Sequence, residues 1–496
     1  MGEIFRTNDP TQYDDVDGII IDESAPAPNI SGVAANIAIM VGQFQRGVEN
    51  ELTDISSIGV LHELFGQSDA RGNKALKNKK FGRLRVIRVV ASDSAKATVT
   101  LQDETPADSI KFEALYKGVY GNSIQYKVEA GTSSGKKYTF KDNNSNSVIP
   151  IEVYDNVVVT GKTQVQLDEL FAGSKLIKPV AIPAVDEPAN VATFTGLASG
   201  SDGTIADTDY ESAIAVAEQE RAGNVLFTDY YTSSINGYLK AHLTNAPDKL
   251  VIVAPASSED EDTTTSASTA KSNAITDVDL NRDAEGSIIY AFNPIKTRIN
   301  GVVVNQSAAP WIASIISLTA PHIDPAYAAN VQFTLGGLDT KYKYNRNDYI
   351  AFKEAGIAAF ELDKDLGIKL RSGISTQIVN SSKVTILRKR MAYFLTDSIA
   401  LFLKNYQNDV NSFAKRTAVN AAIVSWDDGL IRDEILPGDA EVKTGKARLV
   451  DTESLNTDDS IAAGKFILLY KRRIYSSMRF IVLKAEIGES VVVTEA

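Results

Sequence analysis

The chain has 496 residues, of which 44% are hydrophobic and 23% are charged, an ordinary globular composition in a chain too long for one hydrophobic core. Its formal net charge of −12 argues against a general nucleic-acid-binding protein, because such proteins need a basic surface for phosphates. The absence of cysteine excludes disulfides, thiolate zinc sites and cysteine nucleophiles. We therefore expect two to four domains and no nucleic acid among the partners.

The first segment predicted along the chain is a short, isolated strand. It has the sequence GIIID, and its β-branched residues are Ile19, Ile20 and Ile21. Pro26 and Pro28 follow, and proline cannot continue a central strand because it lacks the N–H of the ladder. Residues 1–30 are therefore predicted to form an N-terminal arm, with the two prolines as a hinge.

No stretch of the sequence has the pattern of an export signal or a membrane span. The N-terminal sequence MGEIFRTNDP lacks an apolar signal core. The longest apolar runs, such as residues 311–320, fall short of the roughly 20 residues that a spanning helix needs. We expect a soluble protein with no direct membrane insertion.

Residues 31–94 are predicted to form the first part of an α/β core. Residues 36–44 are densely apolar and predict a buried strand. Residues 55–66 carry apolar side chains at helical spacing and end in glycine, and residues 83–90 alternate as a strand. The order strand, helix, strand is typical of an α/β unit.

Residues 95–205 change character and predict an inserted antiparallel β domain. Short strand-like runs are separated there by glycine, asparagine, aspartate and serine. Residues 206–380 return to an α/β pattern, with a helix predicted over 209–220 and a buried strand over 249–257.

The domain predicted over residues 381–487 opens with helices. Apolar residues recur at threes and fours over 387–410, and a second helix is predicted over 412–424. Strands are predicted over 465–474 and 479–487.

The final residues, 488–496, are predicted to form a C-terminal arm. Gly488 separates this arm from the preceding strand. The strand-like residues of the arm are Val491, Val492 and Val493. The predicted fold class is therefore a multidomain α/β protein with an inserted antiparallel β domain and extended N- and C-terminal strand arms.

No catalytic constellation is recognisable in the sequence. The histidines are far apart; they are His62, His242 and His322. The glycine-rich stretch over 196–204 lacks the lysine and hydroxyl residue of a phosphate-binding loop, and no Gly-x-Ser-x-Gly elbow occurs. An acidic cluster over 361–365 is typical of a solvated turn. We predict no catalytic residue, no cofactor and no metal.

One charged stretch stands out, because from Arg71 to Arg88 the sequence has eight basic residues and no acidic one. The lysines of this stretch are Lys74, Lys77, Lys79 and Lys80. They are either a solvated helix face or a docking patch for an acidic partner surface, and the sequence leaves both readings open.

The order of motifs along the chain resembles that of contractile-tail sheath proteins of bacteriophages and phage-tail-like particles. The opening sequence GIIIDESAPAPNISGVAANIAIMVGQFQRGVENELTDISSIGVLHELFG is similar to the start of that family, with Val48 in place of a usual proline. Further segments resemble the family in the same order: RLRVIRVV, ALYKGVYGNSIQ, APWIASIISLTA and NDYIAFKEAGIAAFELDKDLGIKLRSGISTQ. The likeness is spread over nearly the whole chain.

The resemblance implies a structural protein rather than an enzyme. Subunits of this family form stacked hexameric rings around a tail tube, and the rings contract to drive the tube through a host cell envelope. The implied partners are further copies of the chain, the tail tube protein, the baseplate and the tail terminator. The implied location is a virion tail or a phage-tail-like particle, assembled in the bacterial cytoplasm.

The family also places its C-terminal domain against the tube, which makes residues 381–487 the expected tube-facing domain. Within it, Lys415 and Arg416 precede a mostly apolar helix and are expected to be exposed. We therefore predict that these two cations face the tube.

The isolated strands at the two ends predict pairing between subunits. A strand of five residues is not stable alone and needs a sheet edge to join. We predict that the arms add strands to the C-terminal strands of neighbouring copies, with Pro26, Pro28 and Gly488 as hinges.

Two other functions remain open at the level of sequence. An α/β enzyme with an unrecognised active site would show a pocket with convergent polar groups and shifted pKa values. A surface adhesin built on the β insertion is a weaker alternative.

Overall fold

The computed structural model of the chain describes residues 4–6, 19–21, 30–33, 36–67, 70–183, 186–220, 224–257, 265–332, 335–379 and 383–477. The contacts divide the chain into two compact units. The central unit comprises residues 34–393, and the terminal unit combines residues 1–33 with residues 394–496.

The central unit is built on an eight-stranded sheet. In spatial order its strands are β20 (Gly367–Leu370), β19 (Ile357–Asp363), β15 (Ile288–Phe292), β14 (Leu250–Val253), β13 (Asn224–Thr228), β3 (Ile37–Gln43), β5 (Arg83–Val89) and β4 (Thr53–Ile55). The inner strands are parallel, and β4 and β20 are antiparallel edge strands. Because β3 precedes both of its neighbours in the sequence, the strand order reverses between β3 and β13.

The inner strands are buried, which explains their continuous apolar sequences. Every residue of β14 and β15 is buried, and β3 is buried from Ile37 to Gly42. A parallel sheet that is covered on both faces needs apolar side chains on both faces, so its strands do not alternate.

Helices of the central unit pack around this sheet. They are α1 (Ile58–Phe65), α2 (Arg71–Leu76), α4 (Asp207–Val216), α5 (Ser233–Asn245), α6 (Ala267–Leu280), α7 (Ala309–Leu318), α8 (Pro325–Tyr327) and α9 (Arg346–Ala355), whereas α3 (Gln164–Leu170) belongs to the insertion. α7 is buried over nearly its whole length and packs on β3 and β13. Proline in its first turn suits a position whose N–H has no helical partner.

A small three-stranded sheet follows the central strands. Its order is β17 (Val302–Gln306), β16 (Ile295–Ile299) and β18 (Asp339–Thr340). The β16–β17 hairpin turns at Asn300 and Gly301, which both have a positive φ. An Asn-Gly pair is the favoured sequence for such a turn.

The inserted segment forms two antiparallel sheets. One has the order β11 (Ile177–Val180), β7 (Asp108–Ala114) and β6 (Thr98–Gln102), and the other has the order β10 (Glu152–Val157), β9 (Lys136–Asp142), β8 (Ile124–Ala130) and β12 (Val191–Gly196). The chain leaves and returns at one point, because Ala95 and Ser201 exchange backbone hydrogen bonds of 2.9 and 3.1 Å.

The insertion has a hydrophobic core of its own. Phe112 makes edge-on contacts with Tyr138, Phe140 and Phe171, at ring-centroid distances of 5.7, 5.0 and 5.2 Å. These side chains are buried in a cluster that contains residues of the insertion only. Edge-on aromatic packing stabilises such a core beyond the area that it buries.

Two buried arginines join the insertion to the loop after β3. Arg46 donates to the Tyr120 hydroxyl at 2.5 Å and to the carbonyl oxygens of His62 and Glu63 at 3.0 Å, and it lies 3.4 Å from Asp142. Arg88 donates to the carbonyl oxygens of Phe44, Gly47 and Lys117 at 3.2, 2.9 and 2.8 Å. The core and the insertion are therefore held together by directional bonds.

The terminal unit contains helices and two small sheets. Its elements are β1 (Ile4–Arg6), β2 (Ile19–Ile21), α10 (Ile386–Leu403, from Phe394 onward), α11 (Phe413–Arg432), β21 (Arg448–Asp451), α12 (Asp458–Ala462) and β22 (Leu469–Arg472). β1 pairs with β2 in parallel, and β21 pairs with β22 in antiparallel fashion.

The terminal unit has a hydrophobic core and, beside it on α11, the buried carboxylate of Asp427. The core is formed by Ile30, Ile399, Phe402, Val419, Ala422 and Ile423. Asp427 on α11 is fully buried, and it accepts hydrogen bonds from Tyr470 and Arg472 at 3.0 Å and from Arg448 at 3.2 Å. These bonds fix β21 and β22 on the helix.

The structure confirms the predicted fold class, an α/β core with an inserted antiparallel β domain. The C-terminal arm lies outside the described residues, and the individual domain boundaries stay predictions. The strand predicted over 465–474 is shorter, because β22 has only the four residues of β21 as a ladder partner. The strand predicted over 479–487 lies outside the described residues. In the described part of the chain, no helix is both long and apolar enough to cross a membrane.

Replacing Arg46 with alanine is expected to destabilise the protein by about 3–5 kcal/mol, because the variant leaves the buried Asp142 carboxylate without its cation. Chemical denaturation of the full chain measures the effect. Arg432→Ala is the matched control, since that side chain is 81% exposed and should change stability by no more than about 0.5 kcal/mol. Equal stabilities of the two variants would contradict this role for Arg46.

Candidate functional site

A cleft of about 780 Å³ opens beside the basic stretch of the sequence. It is lined by α1, the end of α2, the residues leading into β5 and the turn of the β16–β17 hairpin. Its lysines are Lys74, Lys77, Lys79 and Lys80. Its apolar lining includes Ile55, Ile58, Leu61, Phe81 and Ile299. We call this feature the lysine cleft.

The hairpin holds the lysine-bearing segment in place. Gln306 donates to the carbonyl oxygen of Lys74 at 2.6 Å, and the Lys77 ammonium donates to Asn300 Oδ1 at 2.6 Å. Asn78 donates to Thr297 Oγ1 at 2.7 Å. These bonds link residues more than 200 positions apart, so the cleft is a product of the tertiary structure.

Lys79 differs from the other lysines of the cleft. Its ammonium lies 4.2 Å from the centre of the Trp311 ring and donates to Gln306 Oε1 at 2.8 Å. Burial lowers the pKa of Lys79 well below its ordinary value. The exposed part of the predicted docking patch is therefore Lys74, Lys77 and Lys80, whereas Lys79 is half-buried against Trp311.

The lysine cleft carries an uncompensated positive charge. Within the described ranges, no carboxylate forms an ion pair with Lys74, Lys77 or Lys80. The pKa of His62, which also lines the cleft, is lowered by burial and then by the charge of Lys77. Whether the patch docks a partner stays a prediction.

The two cations predicted to face a tube have different surroundings. Lys415 is exposed and pairs with Asp409. Arg416 is buried, and its guanidinium donates to both carboxylate oxygens of Glu453 at 3.0–3.2 Å and to Asn411. The expected exposure of Arg416 is therefore wrong, because a long-range carboxylate draws the side chain inward; a tube-facing role of either residue stays a prediction.

The arm residues are described in part. Ile19–Ile21 is a strand, and it pairs in parallel with Ile4–Arg6 of the same chain. Other predicted arm and hinge residues lie outside the described residues: Pro26, Pro28, Gly488, Val491, Val492 and Val493. Ile30, the last residue of the predicted arm, is buried in the core of the terminal unit. The N–H of Val33, just after the arm, donates to Ser398 Oγ at 3.1 Å.

A buried carboxylate that the sequence analysis missed lies where the strand order reverses. Asp229 directly follows β13 and accepts hydrogen bonds from Tyr210 Oη at 2.7 Å and from the Gln43 N–H at 2.8 Å. Burial raises the pKa of Asp229 to about 6, although these bonds and Arg71 oppose the shift. The signal available in the sequence was a lone aspartate directly after an apolar run.

The Asp229 cluster ties two strands and a helix together. The Gln43 side chain donates to Tyr210 Oη at 3.0 Å, so Gln43, Tyr210 and Asp229 form a closed set of hydrogen bonds. In the described part of the chain, no group of three or more His, Cys, Asp or Glu residues could hold a metal ion.

No protein-family model and no curated protein matches the chain. Solved structures do match it. The sheath tail protein of Listeria innocua superposes with a TM-score of 0.63 at 14% identity, over 89% of this chain and 96% of that chain. The chain has the fold of contractile-tail sheath proteins.

Two further sheath structures support this assignment. The sheath tail protein of Desulfitobacterium hafniense gives a TM-score of 0.60 at 15% identity, over 92% of this chain and all of that chain. The helical sheath of the anti-feeding prophage in its contracted state gives a TM-score of 0.56 at 14% identity, over 95% of this chain and 98% of that chain. The resemblance to the sheath fold inferred from the sequence is thus confirmed.

Replacing Asp229 with asparagine is expected to remove a pH dependence of the stability of this sheath-fold protein. The pKa of Asp229 is about 6 in the folded protein and 3.8 ordinarily, so the folded state binds the proton more tightly than the unfolded state. The resulting contribution to the free energy of unfolding is complete below about pH 4 and is lost as the pH rises through 6. Between pH 4 and pH 7 the free energy of unfolding of the wild type should fall by about 3 kcal/mol more than that of the variant. Urea denaturation between pH 4 and 7.5 measures the difference, and identical profiles would contradict the shift.

Proposed function

We propose that this chain is the structural subunit of a contractile sheath. The observation that carries the proposal is the match of its fold to sheath proteins over about nine-tenths of its length. One of those structures is a helical sheath in a contracted state, so the fold is compatible with a helical polymer.

In this proposal, copies of the chain form hexameric rings that stack around a tail tube. Contraction of the stack drives the tube through the envelope of a host cell. The partners are further copies of the chain, the tube protein, the baseplate and the tail terminator. The particle is a virion tail or a phage-tail-like particle, assembled in the bacterial cytoplasm.

The contacts between the insertion and the core of the central unit support a force-bearing role. The bonds made by Arg46 and Arg88 connect the insertion to the eight-stranded sheet at several directional contacts. A subunit that moves as a body during contraction passes force through such contacts rather than through a flexible linker.

In this proposal, the sheet of β21 and β22 in the terminal unit accepts the arms of neighbouring copies. Among the described residues, β21 and β22 pair only with each other, so within that part of the chain each strand has an outer edge without a ladder partner. A two-stranded sheet is marginally stable alone and gains from added strands. At about 0.5–1.5 kcal/mol net per hydrogen bond, five bonds give only a few kcal/mol, so burial of the arm isoleucines and valines must add to the binding energy.

Electron microscopy of the purified full chain tests the proposed function directly. We expect tubular polymers built from six-fold rings, either spontaneously or with the tube protein present. Particles that remain monomeric at high protein concentration and with the tube protein would contradict a sheath role.

Truncating either arm is expected to abolish polymerisation while leaving the subunit folded. The variants lack residues 1–24 or residues 488–496, and both deletions remove the strands proposed to link subunits. Circular dichroism confirms folding, and sedimentation with microscopy measures polymer. Long, regular sheaths from either truncation would contradict the proposed pairing of the arms with strands of neighbouring copies.

Lys415→Glu is expected to weaken binding of the sheath to its tube while leaving sheath polymers intact, with an effect that shrinks as salt rises. Only Lys415 is suited to this test, because Arg416 is buried against Glu453 and its reversal would unfold the helix end. Lys443→Glu, another exposed lysine of the terminal unit, is the control. Tube binding that is unchanged by Lys415→Glu at every salt concentration would place the contact elsewhere.

A further inference from the structure

The basic stretch from Arg71 to Arg88 is neutralised within the chain at only some of its positions. Arg83 and Arg85 pair with Asp54, and Arg85 also pairs with Glu220. Arg88 is bound to carbonyl oxygens, and Lys79 lies against Trp311.

Three lysines of the stretch remain exposed at one cleft; they are Lys74, Lys77 and Lys80. In the part of the chain that the structure describes, none of them has an acidic partner. Adjacent like charges repel, and a partner of opposite charge relieves that repulsion. A chain of net charge −12 thus presents a local positive site that suits an acidic partner.

The lining of the lysine cleft suits a peptide. Its volume is about 780 Å³, and one wall is formed by Ile55 of β4, the edge strand of the large sheet. Ile58 is 61% exposed at the same cleft, although it is a large apolar residue. Asn146 also lines the cleft, and its exposed side-chain amide can bond to a peptide backbone. Apolar, cationic and amide groups are therefore combined on one surface.

We propose that residues 7–18 of a second copy of the chain bind in the lysine cleft. This segment, TNDPTQYDDVDG, has no basic residue, and its four carboxylates are Asp9, Asp14, Asp15 and Asp17. Tyr13 and Val16 lie among them and match the apolar lining of the cleft. The inference rests on the proposed function in one respect, namely that copies of the chain associate.

Length and composition favour this segment over the other acidic run of the chain. The eight residues between Ile21 and Ile30 span on the order of 30 Å when extended, so the segment held between β1 and β2 can leave the terminal unit of its own chain. The run over 259–262 also carries four carboxylates, but no apolar side chain lies within it to match the cleft. Nucleic acid is disfavoured because the whole chain is strongly acidic.

Binding of this segment would add a second, charge-based link beside the proposed strand pairing. The acidic segment lies between Ile4–Arg6 and Ile19–Ile21 in the sequence. Docking of its carboxylates would place that arm on the central unit of a neighbour, with a strength that depends on salt.

A labelled peptide of residues 4–21 tests the site without requiring polymers. The receptor is the full chain in which the four aspartates of residues 7–18 are changed to asparagine, so that its own arm does not compete. We expect binding that weakens as salt rises from 50 to 500 mM, and that is lost when the peptide carries the same four Asp→Asn changes.

Charge reversal in the cleft supplies the specific test. Lys74→Glu, Lys77→Glu and Lys80→Glu together should raise the peptide Kd at least tenfold. The matched control is Lys178→Glu, Lys364→Glu and Lys446→Glu, three exposed lysines away from the cleft, which should change the Kd less than twofold. No binding to the receptor, or equal binding by both triple variants, would overturn the proposal; thermal melts confirm that both are folded.

Single cysteines identify which copy supplies the segment, since the natural chain has none. Chains carrying Lys77→Cys are mixed with larger tagged chains carrying Asp15→Cys and are oxidised. A mixed disulfide is expected for this pair and not for Lys178→Cys with Asp15→Cys. A disulfide that forms only within one chain carrying both cysteines would overturn docking between copies.

The peptide-binding test of the lysine cleft and the polymerisation test of the proposed function can fail independently. Peptide binding by a chain that never polymerises would leave the cleft assignment standing and refute the sheath. Regular sheaths from a chain that does not bind the peptide would refute the cleft assignment alone.

Discussion

The two buried guanidinium groups after β3 and at the end of β5 are the contacts on which the central unit depends. A buried charge is costly unless its donors are satisfied, and arginine offers five donors in a fixed fork. Arg46 and Arg88 place those donors on carbonyl oxygens of both the core loop and the insertion. Burial lowers the pKa of Arg88 to about 10, so the group stays protonated at neutral pH. A lysine at either position could not bridge as many acceptors.

In the terminal unit the buried charge is an anion, and the side chains around it are hydrogen-bond donors. Asp427 is the buried charge there, and Arg448, Arg472 and Tyr470 surround it. In both units the buried ion pairs fix orientation, while apolar cores and backbone ladders supply most of the stability. Fixed orientation within the subunit matters for a protein proposed to bear load in a polymer.

Two groups of cations can be distinguished in the central unit, those buried or half-buried within the chain and those exposed at the lysine cleft. Arg46 and Arg88 are buried on carbonyl oxygens, and Lys79 is half-buried against the ring of Trp311. Lys74, Lys77 and Lys80 face the lysine cleft, where the β16–β17 hairpin fixes the backbone beneath them. Asp229 is a contrasting case, because its partners satisfy its hydrogen bonds yet leave a buried carboxylate with a raised pKa where ligand sites commonly lie in α/β folds.

The sequence by itself determined the elements whose pattern is local. Continuous apolar runs predicted β3 and β14, helical spacing predicted α1 and α11, and short alternating runs predicted the β insertion, because side-chain periodicity is set by backbone geometry. The order of weak motifs also carried the resemblance to the sheath fold.

Only the tertiary structure decided which charged side chains are surface and which are interior. Arg46 meets Asp142 across 96 residues, Gln43 meets Asp229 across 186, and Lys79 meets Gln306 across 227. No periodicity encodes such pairings, since burial of a cation depends on acceptors that distant segments bring to it. For the same reason, the sequence could place Arg416 near a helix start but could not reveal that Glu453 holds it inside.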